Sequence, residues 1–289
     1  MNKKKLVPAL LCALLCVLVV TACGCTTIET QSKKLTISAA ASLTGAFNET
    51  AQAFQANNSG VTIVFNYAGS NALATQIKQG ANADVFASAD LKNIKTVQDA
   101  GLMNNSSVKV FAQNKLAIVV PKANPANITS LNDLANSGVK LVVANSSVPV
   151  GNYSLQMLSK ASNNSSYGAG FNSSALVNVV SEEMNVNDVV VKVALGQGDA
   201  GIVYVSDVPA AYKDKVTVVT IPDSVNVVAQ YPIGVLSSSQ NAQLAQSWIN
   251  YVTSPGGQAI LQKYGFIIPK TSQNVTATTA TTTAATAAA

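Results

Sequence analysis

The chain has 289 residues, of which 48% are hydrophobic and 11% are charged. This length exceeds one average domain, and the apolar content supports a large buried core, which excludes a mainly disordered chain. Its 18 basic side chains are all lysines, and it contains no histidine. Catalysis by Ser-His-Asp or Cys-His sites and metal binding through imidazole are therefore excluded.

The first 22 residues have the pattern of a secretory signal. Lysines at positions 3–5 precede an apolar run, from Leu6 to Val20, that is too short for a comfortable permanent membrane span. The sequence Val20-Thr21-Ala22-Cys23 resembles a lipobox, which predicts removal of residues 1–22 and lipidation of Cys23. The alternatives are plain cleavage nearby and an uncleaved anchor. Residues 23–34 are interpreted as a tether.

The positions of the cysteines and charges restrict the function further. All cysteines lie in or beside the leader, so the folded body has neither a disulfide framework nor a cysteine metal site. They are Cys12, Cys16, Cys23 and Cys25. Without the three leader lysines, 15 basic residues remain against 13 acidic ones, all of which follow residue 28. A nearly neutral chain without a basic stripe argues against nucleic acid as a partner.

Beyond the tether, short β-branched runs alternate with amphipathic helical stretches, which is typical of an α/β fold with largely parallel strands. Strands are predicted at residues 35–40, 61–67 and 84–88, and a helix follows each of them. The first helix has Leu43, Phe47 and Phe54 on one face, and Asp90 is predicted to cap the third.

The next strand, at residues 115–120, is predicted to carry the chain into a second lobe. Residues 225–236 are predicted to return to the first lobe, where a helix through Trp248 and a final helix from Ser254 follow. Residues 35–114 and 225–270 are predicted to form the first lobe, and residues 115–224 the second. Residues 271–289 are predicted to be a disordered Thr/Ala tail. Two crossing strands would allow the lobes to close on a ligand.

The second lobe is predicted to contain helices and strands in alternation. The predicted elements are a short helix at Leu131 and Leu134, a strand at 140–144, helices after Val150 and over 186–194, and strands at 201–205 and 216–221.

Two serines follow the first two predicted strands at the points where helices begin. Ser42 comes after Ala39-Ala40-Ala41, and Ser70 after Tyr67-Ala68-Gly69. A helix start offers unpaired N–H groups and a partial positive charge, so it attracts anions without a basic side chain. The alternative is that both serines only cap their helices. Because ligands of open α/β folds bind at one sheet edge, the pair indicates an anion site.

Six segments between Leu35 and Phe266 carry a family resemblance when they are taken in order. They are Ala39-Ala40-Ala41-Ser42-Leu43-Thr44, Ala68-Gly69-Ser70-Asn71-Ala72-Leu73-Ala74, Ala83-Asp84-Val85-Phe86-Ala87-Ser88-Ala89-Asp90, Val148-Pro149-Val150-Gly151-Asn152-Tyr153, Gly201-Ile202-Val203-Tyr204-Val205-Ser206-Asp207 and Lys263-Tyr264-Gly265-Phe266. Each is weak evidence by itself, but the ordered set resembles the molybdate-binding proteins of ABC importers.

The resemblance implies a two-lobed periplasmic-binding-protein fold of type II, with the ligand in the cleft between the lobes. It implies that the oxyanion is held by Ser42 and Ser70 through hydroxyl and backbone N–H groups, by the main chain at Val150 and Val186, and by the Tyr204 hydroxyl. The family more often has alanine where this chain has Val150, which threatens the size of the pocket rather than the N–H donor. Tyr204 could alternatively be a core tyrosine, and Val186 the first apolar position of a helix.

The resemblance also implies a binding protein rather than an enzyme, with molybdate or tungstate as its ligand and no cofactor. Its partners would be an ABC permease with its ATPase, and it would be a monomer tethered to the outer face of the cell membrane by a lipid or anchor. Asp84, Asp90 and Asp207 are interpreted as helix caps or loop fasteners, because an unpaired carboxylate would oppose a dianion.

Two other functions stay open on the sequence. One is a binding protein for sulfate or another tetrahedral oxyanion, which would use the same kind of site. The other is a surface adhesion or sensory module, which the Thr/Ala tail and several Asn-X-Ser/Thr sequences suggest. An enzyme is disfavoured because no paired acid–base constellation is present.

Overall fold

The computed structural model describes residues 33–208 and 212–269. The predicted signal, Cys23 and the Thr/Ala tail lie outside this part of the chain, as does the predicted tether except for Lys33 and Lys34, which begin the first strand.

The described residues form nine strands and eight α-helices. The strands are β1 (Lys33–Ala40), β2 (Val61–Ala68), β3 (Val85–Ala87), β4 (Lys109–Pro121), β5 (Leu141–Ala144), β6 (Val179–Glu183), β7 (Ala200–Tyr204), β8 (Val216–Thr220) and β9 (Val228–Val235). The helices are α1 (Thr44–Ala56), α2 (Ser70–Lys78), α3 (Leu91–Asp99), α4 (Pro149–Ser162), α5 (Phe171–Val177), α6 (Val186–Ala194), α7 (Ala242–Val252) and α8 (Pro255–Lys263). Short 3₁₀ turns at Ala41–Leu43, Asn105–Ser107, Leu131–Ala135 and Val205–Asp207 complete the elements.

The strands form one sheet with the order β2-β1-β3-β9-β4-β7-β5-β6, and β8 also pairs with β4. The long strand β4 belongs to both halves of this sheet. Lys109 to Lys115 pair with β9, whereas Leu116 to Val119 pair with β7. We call β2, β1, β3, β9 and their helices the first lobe, and β7, β5, β6, β8 and their helices the second. The strand predicted at 115–120 is therefore longer than expected, and its partner changes from β9 to β7 between Lys115 and Leu116.

The prediction of largely parallel strands is correct only away from the crossing strands. The pairs β1–β2, β1–β3, β5–β6 and β5–β7 are parallel. The pairs β3–β9, β4–β7, β4–β8 and β4–β9 are antiparallel. The reason is that β4 carries the chain out of the first lobe and β9 brings it back, so the two run side by side in opposite directions.

The core of the first lobe is built around an aromatic cluster. The Trp248 ring of α7 makes edge contacts with Phe47 and Phe54 of α1, at 5.5 Å between ring centroids in both pairs. The helix α7, which follows β9, therefore packs on α1 of the first lobe. None of the helices within 33–208 and 212–269 has the length and apolar content needed to cross a membrane.

Two elements were not predicted from the sequence. The helix α5 and the edge strand β6 lie between α4 and α6. The seven residues of α5 follow an Asn- and Ser-rich loop, and β6 carries two glutamates, so neither segment has the apolar periodicity that marks a helix or a buried strand.

Candidate anion-binding site

One cavity lies between the lobes, where the ends of β1 and β2 face the starts of α4 and α6. Its volume is about 210 Å³, including space open to solvent. All five predicted site residues line it, with Ser42 and Ser70 from the first lobe and Val150, Val186 and Tyr204 from the second. The other lining residues are Ala40, Ala41, Ala68, Gly69, Ala89, Val148 and Pro149. Among the five predicted residues, the structure brings together Ser42 and Tyr204, which are 162 positions apart in the sequence.

Three helices begin at this cavity. Ser70, Pro149 and Val186 are the first residues of α2, α4 and α6. The N–H groups of a first helical turn have no partner within the helix, and together they carry a partial positive charge. Proline has no N–H, so Val150 supplies the first donor of α4. This geometry is compatible with the main-chain role predicted for Val150 and Val186, which their apolar side chains did not indicate.

The two serines do not cap their helices. Neither hydroxyl makes a capping hydrogen bond, and Ser42 lies inside the 3₁₀ turn that precedes α1. Instead, the Ser70 Oγ accepts a hydrogen bond from the Ala89 N–H at 3.0 Å, and the Ser42 Oγ lies 3.0 Å from the Tyr231 hydroxyl. Because the Ser70 oxygen accepts a hydrogen bond from the Ala89 N–H, the hydrogen of the Ser70 hydroxyl is available to a ligand in the cavity.

The surroundings of the Tyr204 hydroxyl bear on whether this residue is a core tyrosine or a ligand donor. Tyr204 is 1% exposed, and its hydroxyl has no hydrogen-bond partner within the described residues. Buried tyrosine hydroxyls are normally paired, so an unpaired one on a cavity wall indicates a place where a ligand accepts. Burial raises the pKa of Tyr204 well above its usual value, and the hydroxyl stays a proton donor.

No lysine, aspartate or glutamate lines the cavity. Its donors are hydroxyls and backbone N–H groups, which carry dipoles and no net charge. The described residues also contain no cluster of acidic side chains or cysteines that could hold a metal ion. Such a lining suits an oxyanion that needs many donors and has no proton of its own to give.

The three acids near the predicted motifs act as fasteners. Asp90 caps α3 by accepting from the Asn93 N–H at 2.8 Å, and Asp84 accepts from the Thr36 N–H at 2.8 Å. Asp207 accepts from the Tyr204 N–H at 2.7 Å. The interpretation of these acids as caps and fasteners is therefore confirmed.

Asp207 is also the acid whose charge matters most to the cavity. It is 3% exposed, and its Oδ1 atom has no hydrogen-bond partner in the described residues. Burial raises the pKa of Asp207 to about 8, although hydrogen bonds from the Tyr204 backbone and the Ser206 side chain oppose the shift. The group is therefore mostly uncharged at neutral pH, and it does not repel an anion beside Tyr204.

The lobes touch at the edge of the cavity. The Asn71 side chain donates to the Ser147 Oγ at 3.1 Å, and the Asn187 side chain donates to the Ala41 carbonyl at 3.2 Å. A Cβ atom at Gly69 would lie 2.7 Å from the Met184 carbonyl oxygen. Gly69 therefore lets the first lobe approach the second lobe closely.

Comparison with known proteins identifies the family of this chain. The family model of bacterial extracellular solute-binding proteins matches residues 35–267. The chain belongs to this family. The molybdate-binding protein ModA of Mycobacterium tuberculosis is 40% identical over 82% of this chain and 86% of its own length. A putative ABC transporter substrate-binding lipoprotein of Bacillus subtilis, YvgL, is 31% identical over 88% of this chain and 95% of its own length.

A solved structure of the same fold is the sulfate-binding protein SubI of Mycobacterium tuberculosis. Its TM-score is 0.74 at 20% identity, over 82% of this chain and 88% of that structure. The predicted two-lobed α/β fold is thus confirmed. As a solute-binding protein, the chain belongs to a class of extracytoplasmic binding proteins, which is not a class of enzymes.

The sequence did not identify every residue that lines the cavity or contacts its lining. Ala89 and Val148 lie inside the segments that carried the resemblance, but their part in the lining needed the fold. Tyr231, which contacts Ser42, is a single aromatic residue in an apolar strand. Alternation along β9 predicts an inward side chain and cannot predict which hydroxyl it meets.

We expect Asp207 to make the stability of the protein fall as the pH rises. Between its ordinary pKa of 3.8 and about 8, the folded state keeps a proton that the unfolded chain loses, so folding weakens across this window. The Asp207→Asn variant should lose this decline, which thermal unfolding from pH 5 to 8.5 would measure. Asp99→Asn, at an exposed position on α3, should keep the wild-type slope. Equal slopes for Asp207→Asn and wild type would contradict the assignment.

Proposed function

We propose that this protein captures molybdate, or the closely similar tungstate, outside the cytoplasm and delivers it to the permease of an ABC importer. The observation that carries the proposal is the buried Tyr204 hydroxyl, which has no hydrogen-bond partner in the described part of the chain. Tyr204 lines the same cavity as the buried Ser42 and Ser70 and the helix starts at Val150 and Val186. Support for the choice of ligand comes from the 40% identical relative, which is named as a molybdate-binding protein.

The donors of this cavity are strong enough to hold a dianion. A hydrogen bond to a charged group contributes about 1.5–3 kcal/mol, so ~6 such bonds supply roughly 9–18 kcal/mol. Association and ordering cost about 4–15 kcal/mol. The balance allows micromolar to nanomolar affinity when the lobes exclude water from the cavity.

A lining made of donors also selects among oxyanions. Phosphate near neutral pH keeps a proton that requires an acceptor, and no carboxylate lines the cavity to accept it. Sulfate has no such proton, but its shorter bonds place its oxygen atoms closer together. We therefore expect sulfate to reach fewer of the donors at once than molybdate does.

The competing ligand is sulfate, since the SubI structure shares the fold. That likeness, at 20% identity, concerns the fold alone, whereas the relative named for molybdate is twice as similar in sequence. An adhesion or sensory role is weaker, because its sequence support lay in the Thr/Ala tail and the glycosylation-like sequences and no feature of the cavity favours it.

The remaining parts of the proposal concern delivery. The protein would be a monomer, tethered at Cys23 to the outer face of the membrane, and the loaded form would dock on a permease driven by its ATPase. A relative named as a lipoprotein supports the tether. We propose residues 35–114 with 225–270, and residues 115–224, as the two lobes that close on the ligand.

Adding molybdate should raise the thermal midpoint of the wild-type protein, because a ligand that binds only the folded state stabilises it. The Ser42→Ala, Ser70→Ala double variant should lose most of this increase, since losing two donors to a charged ligand weakens binding by about 10²- to 10⁴-fold. Ser107→Ala is a matched control, because Ser107 is buried and hydrogen-bonded but lies outside the cavity lining.

The same thermal measurement with sulfate and phosphate completes this test. A shift with either of these anions and none with molybdate or tungstate would overturn the ligand assignment. An unchanged molybdate affinity in the double variant would show that the serines are not the donors.

A methyl group at Gly69 should weaken molybdate binding by keeping the lobes apart. The Cβ of Gly69→Ala would meet the Met184 carbonyl oxygen at 2.7 Å, and relieving such an overlap costs about 1–3 kcal/mol, or roughly a 5- to 150-fold loss of affinity. The added Cβ would also lie 2.7 Å from the Asn71 Oδ1 within the first lobe, but this flexible side chain can turn away. The unliganded thermal midpoint should therefore change little, because the lobes can separate. Gly170→Ala has no atom within 4 Å of its added Cβ and should bind as the wild type does. Calorimetric titration would measure both, and equal affinities would show that Gly69 does not limit closure.

A further inference from the structure

Tyr231 lies on the returning strand β9 and contacts both lobes behind the cavity. It is 0% exposed, and its ring packs edge-on against Tyr204 of the second lobe, with 5.8 Å between ring centroids and an interplanar angle of 70°. Its hydroxyl lies 3.0 Å from the Ser42 Oγ of the first lobe. Tyr231 does not itself line the cavity.

The hydrogen bond between Tyr231 and Ser42 can have either hydroxyl as its donor when no anion is bound. A serine hydroxyl has one hydrogen, and an unprotonated oxyanion can only accept. When Ser42 gives its hydrogen to the anion, its oxygen can therefore only accept from Tyr231.

The Tyr231 hydroxyl keeps its hydrogen. Burial raises the pKa of Tyr231 well above its usual value. The hydroxyl therefore has a hydrogen to donate to Ser42 throughout the physiological pH range.

We propose that Tyr231 is a positioning residue for anion capture, which donates to the Ser42 oxygen and thereby directs the Ser42 hydrogen into the cavity. This inference rests on the proposed function and adds a residue that the resemblance did not include. The Ala89 N–H holds Ser70 in the same way from the other side of the cavity. Each serine thus accepts from the protein and donates to the ligand.

The arrangement matters because a free serine hydroxyl can turn. Without a donor behind it, Ser42 could point its hydrogen at another protein oxygen and would have to be reoriented when the anion arrives. Hydrogen bonds in series also polarise one another, so the donation from Tyr231 strengthens the bond from Ser42 to the anion. The phenyl ring alone supplies neither effect, which separates positioning from packing.

The test is the molybdate affinity of Tyr231→Phe, measured by calorimetric titration of the whole mature protein. This variant keeps the ring contacts with Tyr204 and removes only the hydroxyl. We expect affinity to fall about tenfold, in line with the typical net contribution of one hydrogen bond. Tyr264→Phe is the matched control, because it removes a tyrosine hydroxyl bond of the same 3.0 Å length, to Glu49, from outside the cavity lining.

A double-mutant cycle with Ser42→Ala separates positioning from a general structural effect. If Tyr231 acts through Ser42, Tyr231→Phe should lower affinity in the wild type and have almost no further effect in the Ser42→Ala protein. Equal losses in both backgrounds would overturn the inference, as would wild-type affinity in Tyr231→Phe.

The thermal midpoint without ligand is measured for each variant to confirm that it is folded. If the wild-type protein binds no molybdate or tungstate, the proposed function fails and this inference falls with it. If the wild-type protein binds molybdate and Tyr231→Phe keeps the same affinity as the Tyr264→Phe control, the proposed function stands and only this inference fails.

Discussion

A doubly charged oxyanion can leave water only where each of its oxygen atoms finds a donor that is already in place. This protein contains neither arginine nor histidine, and no lysine lines its cavity, so the donors must be neutral. The fold supplies them by ending β1 and β2 at one edge and by starting α4 and α6 opposite that edge. The positions of Ser42, Ser70 and Tyr204 all depend on this convergence.

Neutral donors are effective only when no negative charge competes with the ligand. Asp207 lies directly behind Tyr204, and as an ion it would oppose a dianion in the cavity. Its burial favours the uncharged form near neutral pH. Burial also raises the pKa values of Tyr204 and Tyr231, so both hydroxyls stay protonated and uncharged. The cavity therefore presents protonated hydroxyls near neutral pH.

The sequence predicted those parts of the fold and site that depend on local pattern. The apolar periodicity around Phe47 and the cap at Asp90 identified helices, and both are present. Family resemblance led to Ser42, Ser70, Val150, Val186 and Tyr204, which line one cavity, while their roles as ligands to the anion stay predictions. The cap interpretation of the serines was wrong, since their hydroxyls meet Ala89 and Tyr231 instead.

What the sequence could not predict are contacts between distant segments. The side chains of Tyr231 and Ser42 are 189 positions apart, and only the return of β9 beside β4 brings them together. The edge strand β6 was missed because it is short and ends in charged residues. The antiparallel crossing pairs were missed because strand direction depends on how the chain passes between lobes, which residue pattern along one strand does not record.

The most direct measurement is a crystal structure grown with molybdate, in which the anomalous signal locates the molybdenum atom. The account predicts one strong peak between Ser42, Ser70 and Tyr204, with the ligand oxygens within about 3 Å of their hydroxyls and of the N–H groups at Val150 and Val186. It also predicts no lysine nitrogen in contact with the ion. A peak beside a lysine elsewhere on the protein, with none in this cavity, would contradict the claim that neutral donors capture the anion.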